Sequence, residues 1–255
     1  MIDYPSHVAA DSGRLAAAAR TAGLDSPVPS CPGWMVRDLV AHVGKVHREK
    51  EEIVRRLLAE PPAPVEPPQD GVLFDWFEDG ASALVATLAA ADPAAPAWTW
   101  HEPDQTAGFW RRRMAHETLI HRVDAELAAG SVGPIDQDLA GDGVDEVLVV
   151  KMSAAPGWAT VTPGEGAVAL VVPGARWTMR RSFLSGTSPD TGNVYEGLEM
   201  AALSAAPVET DCTVRGSAVD MDLWLWGRGP LEALEVEGDR ELALWLRRVA
   251  AEDTQ

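Results

Sequence analysis

Apolar residues recur at helical spacing through the first half of the chain. An Ala-rich amphipathic run from Asp3 to about Ala22 ends at Gly23. The segment PVPSCPGW follows, and its prolines favour extended or turn backbone. A second helical pattern runs from about Val36 to Ala59 and stops at a Pro-rich connector that contains Pro61, Pro62, Pro64, Pro67 and Pro68. A third covers Gly71 to Asp92, and a fourth covers about Phe109 to Ala129, closed by Gly130. Four helices of about 20 residues are the parts of a four-helix bundle.

Beyond Gly130 the period changes. Asp138 to Met152 reads as one more amphipathic helix, followed by short β-like runs: ATVTP, VALVVPG, RWTMRRSF and VETDCTVRG. SAVDMDLWLWGR and DRELALWLRRVA read as helices, the second entered through Gly238 and Asp239. An all-helical half followed by mixed helix and strand predicts a mixed chain: a bundle over residues 1–133 and a smaller α+β domain over residues 134–255.

The 39 acidic and 21 basic residues give a formal charge of −18. That balance disfavours nucleic-acid backbones and anionic membranes as partners. The N-terminal MIDYPSHVAADSGRL has neither a basic n-region nor an apolar run, so no secretory signal is expected. No apolar run of about 18 residues predicts a membrane span. Cys31 and Cys212 stand far apart and outside any CxxC pattern, which argues against a disulfide framework and against a thiolate zinc site. A reduced, cytoplasmic monomer or homodimer acting on a small molecule is the expectation.

The chemistry concentrates in FWRRRMAHETLIHRVDAELAAG. Glu117 and His121, four residues apart, share one helix face. With a third ligand from another helix they would form a divalent-metal site with an open position, which suits catalysis. On the second helix His42 and His47 flank the apolar stripe about equally, and His116 competes with His121. The helical wheel places Arg111, Thr118 and Arg122 on a face that meets water. An internal ion pair between Arg113 and Glu117, without metal, is the structural alternative, because a bundle carboxylate needs a cation or donor. Asp124, one turn past His121, is placed either to orient that imidazole or to face solvent. Trp34 is read as packing its loop onto the bundle, and Trp224 and Trp226 as anchoring the second domain. Arg176, Arg180 and Arg181 are read as charged strand residues or carboxylate clamps. Cys31 is equally an inert thiol or a nucleophile.

Taken together, CPGWMVRDLVAHV (Cys31 to Val43), ETLIHRVDAE (Glu117 to Glu126) and GSAVDMDLWLWGR (Gly216 to Arg228) resemble the mycothiol-dependent maleylpyruvate isomerase family, whose N-terminal bundle is DinB-like. The resemblance implies that His42, Glu117 and His121 ligate a divalent metal, zinc by expectation, and that the second domain is sterol-carrier-like. It implies an active-site arginine, matched here to Arg228, and mycothiol as thiol cofactor or cosubstrate. A thiol of pKa about 8.5 is mostly protonated at neutral pH, and metal coordination deprotonates it. The thiolate would serve a cis–trans isomerase or an S-transferase. The competing expectation is a non-catalytic small-molecule or lipid-binding protein with a structural or vestigial metal.

Overall fold

A computed structural model describes residues 2–153, 155–189, 191–204 and 207–254. The chain divides into two compact units, Met1–Pro134 and Ile135–Gln255.

The first unit is a four-helix bundle of α1 (Tyr4–Ala22), α2 (Val36–Arg56), α3 (Leu73–Ala90) and α4 (Ala107–Ala128). Helices α1 and α4 begin where a side chain satisfies a free first-turn amide. The Asp3 carboxylate caps α1 through the Ser6 amide, and the Thr106 hydroxyl caps α4 through the Phe109 amide. Helix α1 packs on α3 and α4, and α2 packs on the same two, so α2 and α4 are direct neighbours. Leu15, Leu39, Val40, Val43, Leu73 and Phe77 fill the core between them.

Helix α4 departs from the wheel expectation. Thr118 and Arg122 do not meet water: their relative exposures are 0% and 1%, while Arg111 is half-buried. The face assigned to solvent is covered by neighbouring helices and by the segment that follows α4. Internal partners satisfy its polar groups. The Thr118 hydroxyl donates to the Met114 carbonyl at 2.7 Å, and Arg122 pairs with Asp11 of α1 at 3.3 Å.

The second unit holds a five-stranded sheet in the order β3-β2-β1-β4-β5, with β1 parallel to β4 and every other pair antiparallel. Its strands are β1 (Thr160–Val172), β2 (Ala175–Thr187), β3 (Val194–Leu203), β4 (Cys212–Arg215) and β5 (Glu235–Gly238). Helices α5 (Gln137–Asp145), α6 (Ala218–Leu225) and α7 (Arg240–Thr254) complete it, and α7 packs on the sheet.

Several elements differ from expectation. ATVTP and VALVV belong to one strand, β1, because Pro163 to Ala167 is bridged by a register irregularity rather than a turn. The two edge strands, β3 and β5, were not expected. Both are mostly exposed and carry Glu196, Gly197 and Glu199, or Glu235, Glu237 and Gly238, so neither shows a clean apolar alternation. The predicted helix from Asp138 to Met152 is α-helical only to Asp145; Glu146–Lys151 widens into π-helical turns. Trp224 and Trp226 are buried, as a core role requires. Arg176, Arg180 and Arg181 all lie on β2, where Arg180 Nε donates to the Gly164 carbonyl at 3.0 Å and Arg181 pairs with Glu199 at 3.2 Å.

Candidate metal centre

The four-residue spacing on α4 puts His121 Nε2 3.2 Å from Glu117 Oε1. From α2, His42 Nε2 comes within 3.3 Å of the same oxygen. One ligand atom from each of the three residues lies within 4.8 Å of the other two. Atoms bound about 2.0–2.1 Å from a tetrahedral zinc stand roughly 3.3–3.4 Å apart, so both measured edges fit that ion. Two ring nitrogens converging on one carboxylate oxygen is the pattern a cation would occupy. The donors are two imidazoles and a carboxylate, a set that leaves a fourth position open.

The other Glu117 oxygen, Oε2, accepts from the Arg113 guanidinium. The expected internal ion pair is therefore present, and it leaves Oε1 for the imidazoles. Burial alone would raise the Glu117 pKa, but the Arg113 and His121 charges prevail and hold it well below the usual carboxylate range. His121 has the converse balance. Burial pulls its pKa down, yet the Glu117 charge and a hydrogen bond to Asp124 raise it from 6.5 to about 9.

Asp124 is fully buried and does not face solvent. Its Oδ2 lies 2.9 Å from His121 Nδ1, its Oδ1 accepts from the Ser30 hydroxyl at 2.5 Å, and the Cys31 thiol approaches Oδ2 at 3.4 Å. Holding the proton on Nδ1 turns a basic Nε2 toward Glu117 and His42. The Cys31 thiol is thus a donor to an orienting carboxylate.

The loop that delivers Ser30 and Cys31 is fixed by its own turn chemistry. Pro32 and Gly33 occupy the centre of a turn closed by the Trp34 amide on the Cys31 carbonyl at 3.0 Å, with Gly33 at φ 87°. Proline at the first central position and a positive φ at the second define a type II turn. The turn sets Trp34 against both imidazoles: its ring lies 5.0 Å from that of His42 and 6.2 Å from that of His121, nearly parallel to the latter. Trp34 therefore walls the site as well as packing the loop.

The structure separates the competing histidines. His42 keeps a side-chain exposure of 38%, which leaves an edge of the cluster open. His47 is fully buried; its Nε2 bonds Thr118 Oγ1 at 3.0 Å and its ring stacks on Phe77. His116 is buried beside Tyr4, outside the cluster. Arg228 sits in the second unit, in the turn after α6, where its Nη1 donates to the Trp226 carbonyl at 2.5 Å. Ser30 gave no sequence signal, since a serine in a Pro-rich loop reads as a turn residue.

Residues 6–126 match the family model described as the mycothiol maleylpyruvate isomerase N-terminal domain, and residues 138–244 match the MDMPI C-terminal domain. The chain belongs to the mycothiol-dependent maleylpyruvate isomerase family. No curated protein matches it in sequence. The crystal structure of a mycothiol-dependent maleylpyruvate isomerase aligns with a TM-score of 0.60 at 16% identity, covering 92% of each chain. A histidine-to-alanine mutant of such an isomerase aligns with a TM-score of 0.61 at 15% identity, again over 92% of each chain. At that identity the likeness shows a shared fold. Among the described residues no helix is long and apolar enough to cross a membrane.

Proposed function

We propose that this family member is a mycothiol-dependent enzyme whose His42, Glu117 and His121 hold a divalent metal, and that it isomerises or S-transfers a small unsaturated or electrophilic substrate of the maleylpyruvate type. The observation that carries this reading is the convergence of three donor atoms from α2 and α4 within 4.8 Å, with both edges to the Glu117 oxygen at lengths that fit zinc. When bound there, the metal would supply a thiol with a deprotonated sulfur at neutral pH, the nucleophile that reversible addition across a conjugated double bond requires.

The protein's own residues set the conditions for that chemistry. Arg113 keeps Glu117 ionised, Asp124 orients the His121 ring so that Nε2 faces the site, and Ser30 fixes Asp124. Trp34 walls off one side of the imidazoles while the exposed edge of His42 leaves an approach open. Arg228 is proposed to face substrate as a positive group. A chain with a net charge of −18 offers no long-range attraction to an anion, so the positive field must be local.

The test is to load the full chain with cobalt(II) as an optical stand-in for zinc and titrate mycothiol. A thiolate-to-metal charge-transfer band in the wild type and its loss in His42→Ala, with helical content unchanged, is the expected result. A protein that takes up no metal, or a metal site indifferent to the thiol, would leave the non-catalytic binding reading standing.

A further inference from the structure

Trp34 is held by its backbone on both sides. Its amide donates to the Cys31 carbonyl at 3.0 Å, and its carbonyl accepts from the Val28 amide at 2.9 Å. Next to it the Val36 amide donates to the Ser26 carbonyl at 2.9 Å, and Pro27 and Met35 form a bridge across the same loop. The loop that presents this indole is therefore ordered by its own bonds, so a ligand that binds against it pays little for ordering. Part of the side chain packs on the bundle core, and the rest stays exposed.

The polar atom of the indole belongs to the exposed part. The Trp110 and Trp177 N–H groups each have an acceptor, the Trp98 carbonyl at 2.6 Å and the Asp145 carboxylate at 2.9 Å. The Trp34 N–H has none among the described residues, and it is not buried, so it reaches solvent. Its ring stands 5.0 Å from that of His42, the imidazole whose edge is open. The accessible rim of the metal centre thus combines a fixed aromatic surface with one neutral donor. Such a rim suits a ligand that offers C–H surface and oxygen acceptors together. An anionic peptide thiol finds no matching cation in the indole, and the net charge of −18 disfavours it further.

We propose that Trp34 selects which thiol enters the site: its N–H donates to an oxygen of the neutral, polyhydroxylated body of mycothiol, and the exposed part of its ring packs on that body. The proposal rests on the metal–thiol reading above and deepens it. Three protein ligands and an open position would accept any small thiol. Discrimination among thiols must come from what surrounds the sulfur, and Trp34 is the aromatic residue set against both imidazoles.

The experiment loads the full-length protein with cobalt(II) and follows the charge-transfer band while titrating mycothiol or N-acetylcysteinamide, a neutral acylated cysteine thiol without the sugars. Wild type should bind mycothiol about tenfold tighter or more. Trp34→Leu should bring the two thiols to within about threefold of each other, while the N-acetylcysteinamide affinity, cobalt stoichiometry and helical content stay as in the wild type. Trp34→Phe keeps a ring and loses the donor, so its preference should fall between those of wild type and Trp34→Leu; it decides the matter if Trp34→Leu does not hold cobalt. A Trp34 that only packs its loop would leave the ratio of the two affinities unchanged in these variants, and that result overturns the proposal. A wild type that binds both thiols equally overturns it too and leaves the metal–thiol reading intact. A cobalt-loaded wild type that shows no band with either thiol sinks that reading, and this inference with it.

Discussion

Helix α4 carries two buried clusters of charge about one turn apart, and they have opposite designs. Toward its C-terminal end, Arg122 lies against Asp11 at 3.3 Å and Glu126 at 3.8 Å, while Glu126 also holds Arg14 at 2.8 Å and the Gly133 amide at 3.0 Å. Cations already occupy that cluster, and its reach ties α1 and the end of the first unit to α4. The other cluster has two imidazoles facing one carboxylate oxygen, with one ring edge open to solvent. Burial and charge alone do not distinguish the two. What marks a site is that donor atoms from two imidazoles and a carboxylate converge on one point.

Substitution breaks this comparison most sharply. Glu117→Gln keeps the shape and a hydrogen-bond acceptor for Arg113 but removes the ligand charge. It should reduce metal affinity by more than the roughly 10–100-fold that loss of an outer partner costs, and it costs stability as well, because the buried Arg113 guanidinium loses its carboxylate charge. Arg122→Met should cost stability alone. It leaves the buried carboxylates of Asp11 and Glu126 without their shared cation, a loss of about 3–5 kcal/mol by urea denaturation, while metal stoichiometry per folded chain stays the same. If Arg122→Met abolished metal binding in folded protein, or Glu117→Gln only cost stability, the functional division of α4 would be wrong.

How much of this was legible in the sequence follows from what each element buries. The bundle helices have apolar faces and punctuated ends, so α1 to α4 stand out. The edge strands β3 and β5 bury little and carry glutamates, so no pattern marks them. On α4 the wheel failed for Thr118 and Arg122 because a helix packed on two neighbours and an adjoining segment buries polar groups as internal pairs. The i, i+4 spacing made Glu117 and His121 candidates, but periodicity could not choose His42 over His47. That choice depends on a five-residue offset on α2, which turns one ring toward Glu117 and the other against Phe77 and Thr118.

The two α2 histidines provide the next test. Burial, with smaller contributions from His121 and His42 against an opposing one from Glu117, brings the His47 pKa from 6.5 to about 4. The unfolded chain then takes up a proton first as pH falls. The stabilisation from keeping His47 neutral is complete above pH 6.5 and is lost as pH drops toward 4, on the order of 3 kcal/mol over that window. Because the Thr118 hydroxyl donates to Met114, His47 Nε2 donates to Thr118, a role a glutamine amide can take over. His47→Gln should therefore show a shallower loss of stability between pH 6.5 and 4 than the wild type in denaturant titrations. Parallel slopes would show that His47 is not held neutral.

His121 titrates in the other direction, and Asp124 controls by how much. In the metal-free protein its pKa is raised to about 9, so its contribution to stability is full below 6.5 and is lost as pH rises through 9. A metal must displace that proton. Affinity should accordingly rise about tenfold per pH unit toward pH 9, with about one proton released per metal at pH 7 from this residue. Asp124→Asn keeps the shape but gives up the charge that makes the imidazole basic. It should lower affinity by about 10–100-fold where proton competition has ended. Below that pH the variant's His121 holds its proton less tightly, which offsets part of the loss. The deficit of Asp124→Asn should thus grow between pH 7 and 9, measured by competition against a chelator of known affinity. A deficit independent of pH would mean that Asp124 only positions the ring and leaves its basicity unchanged.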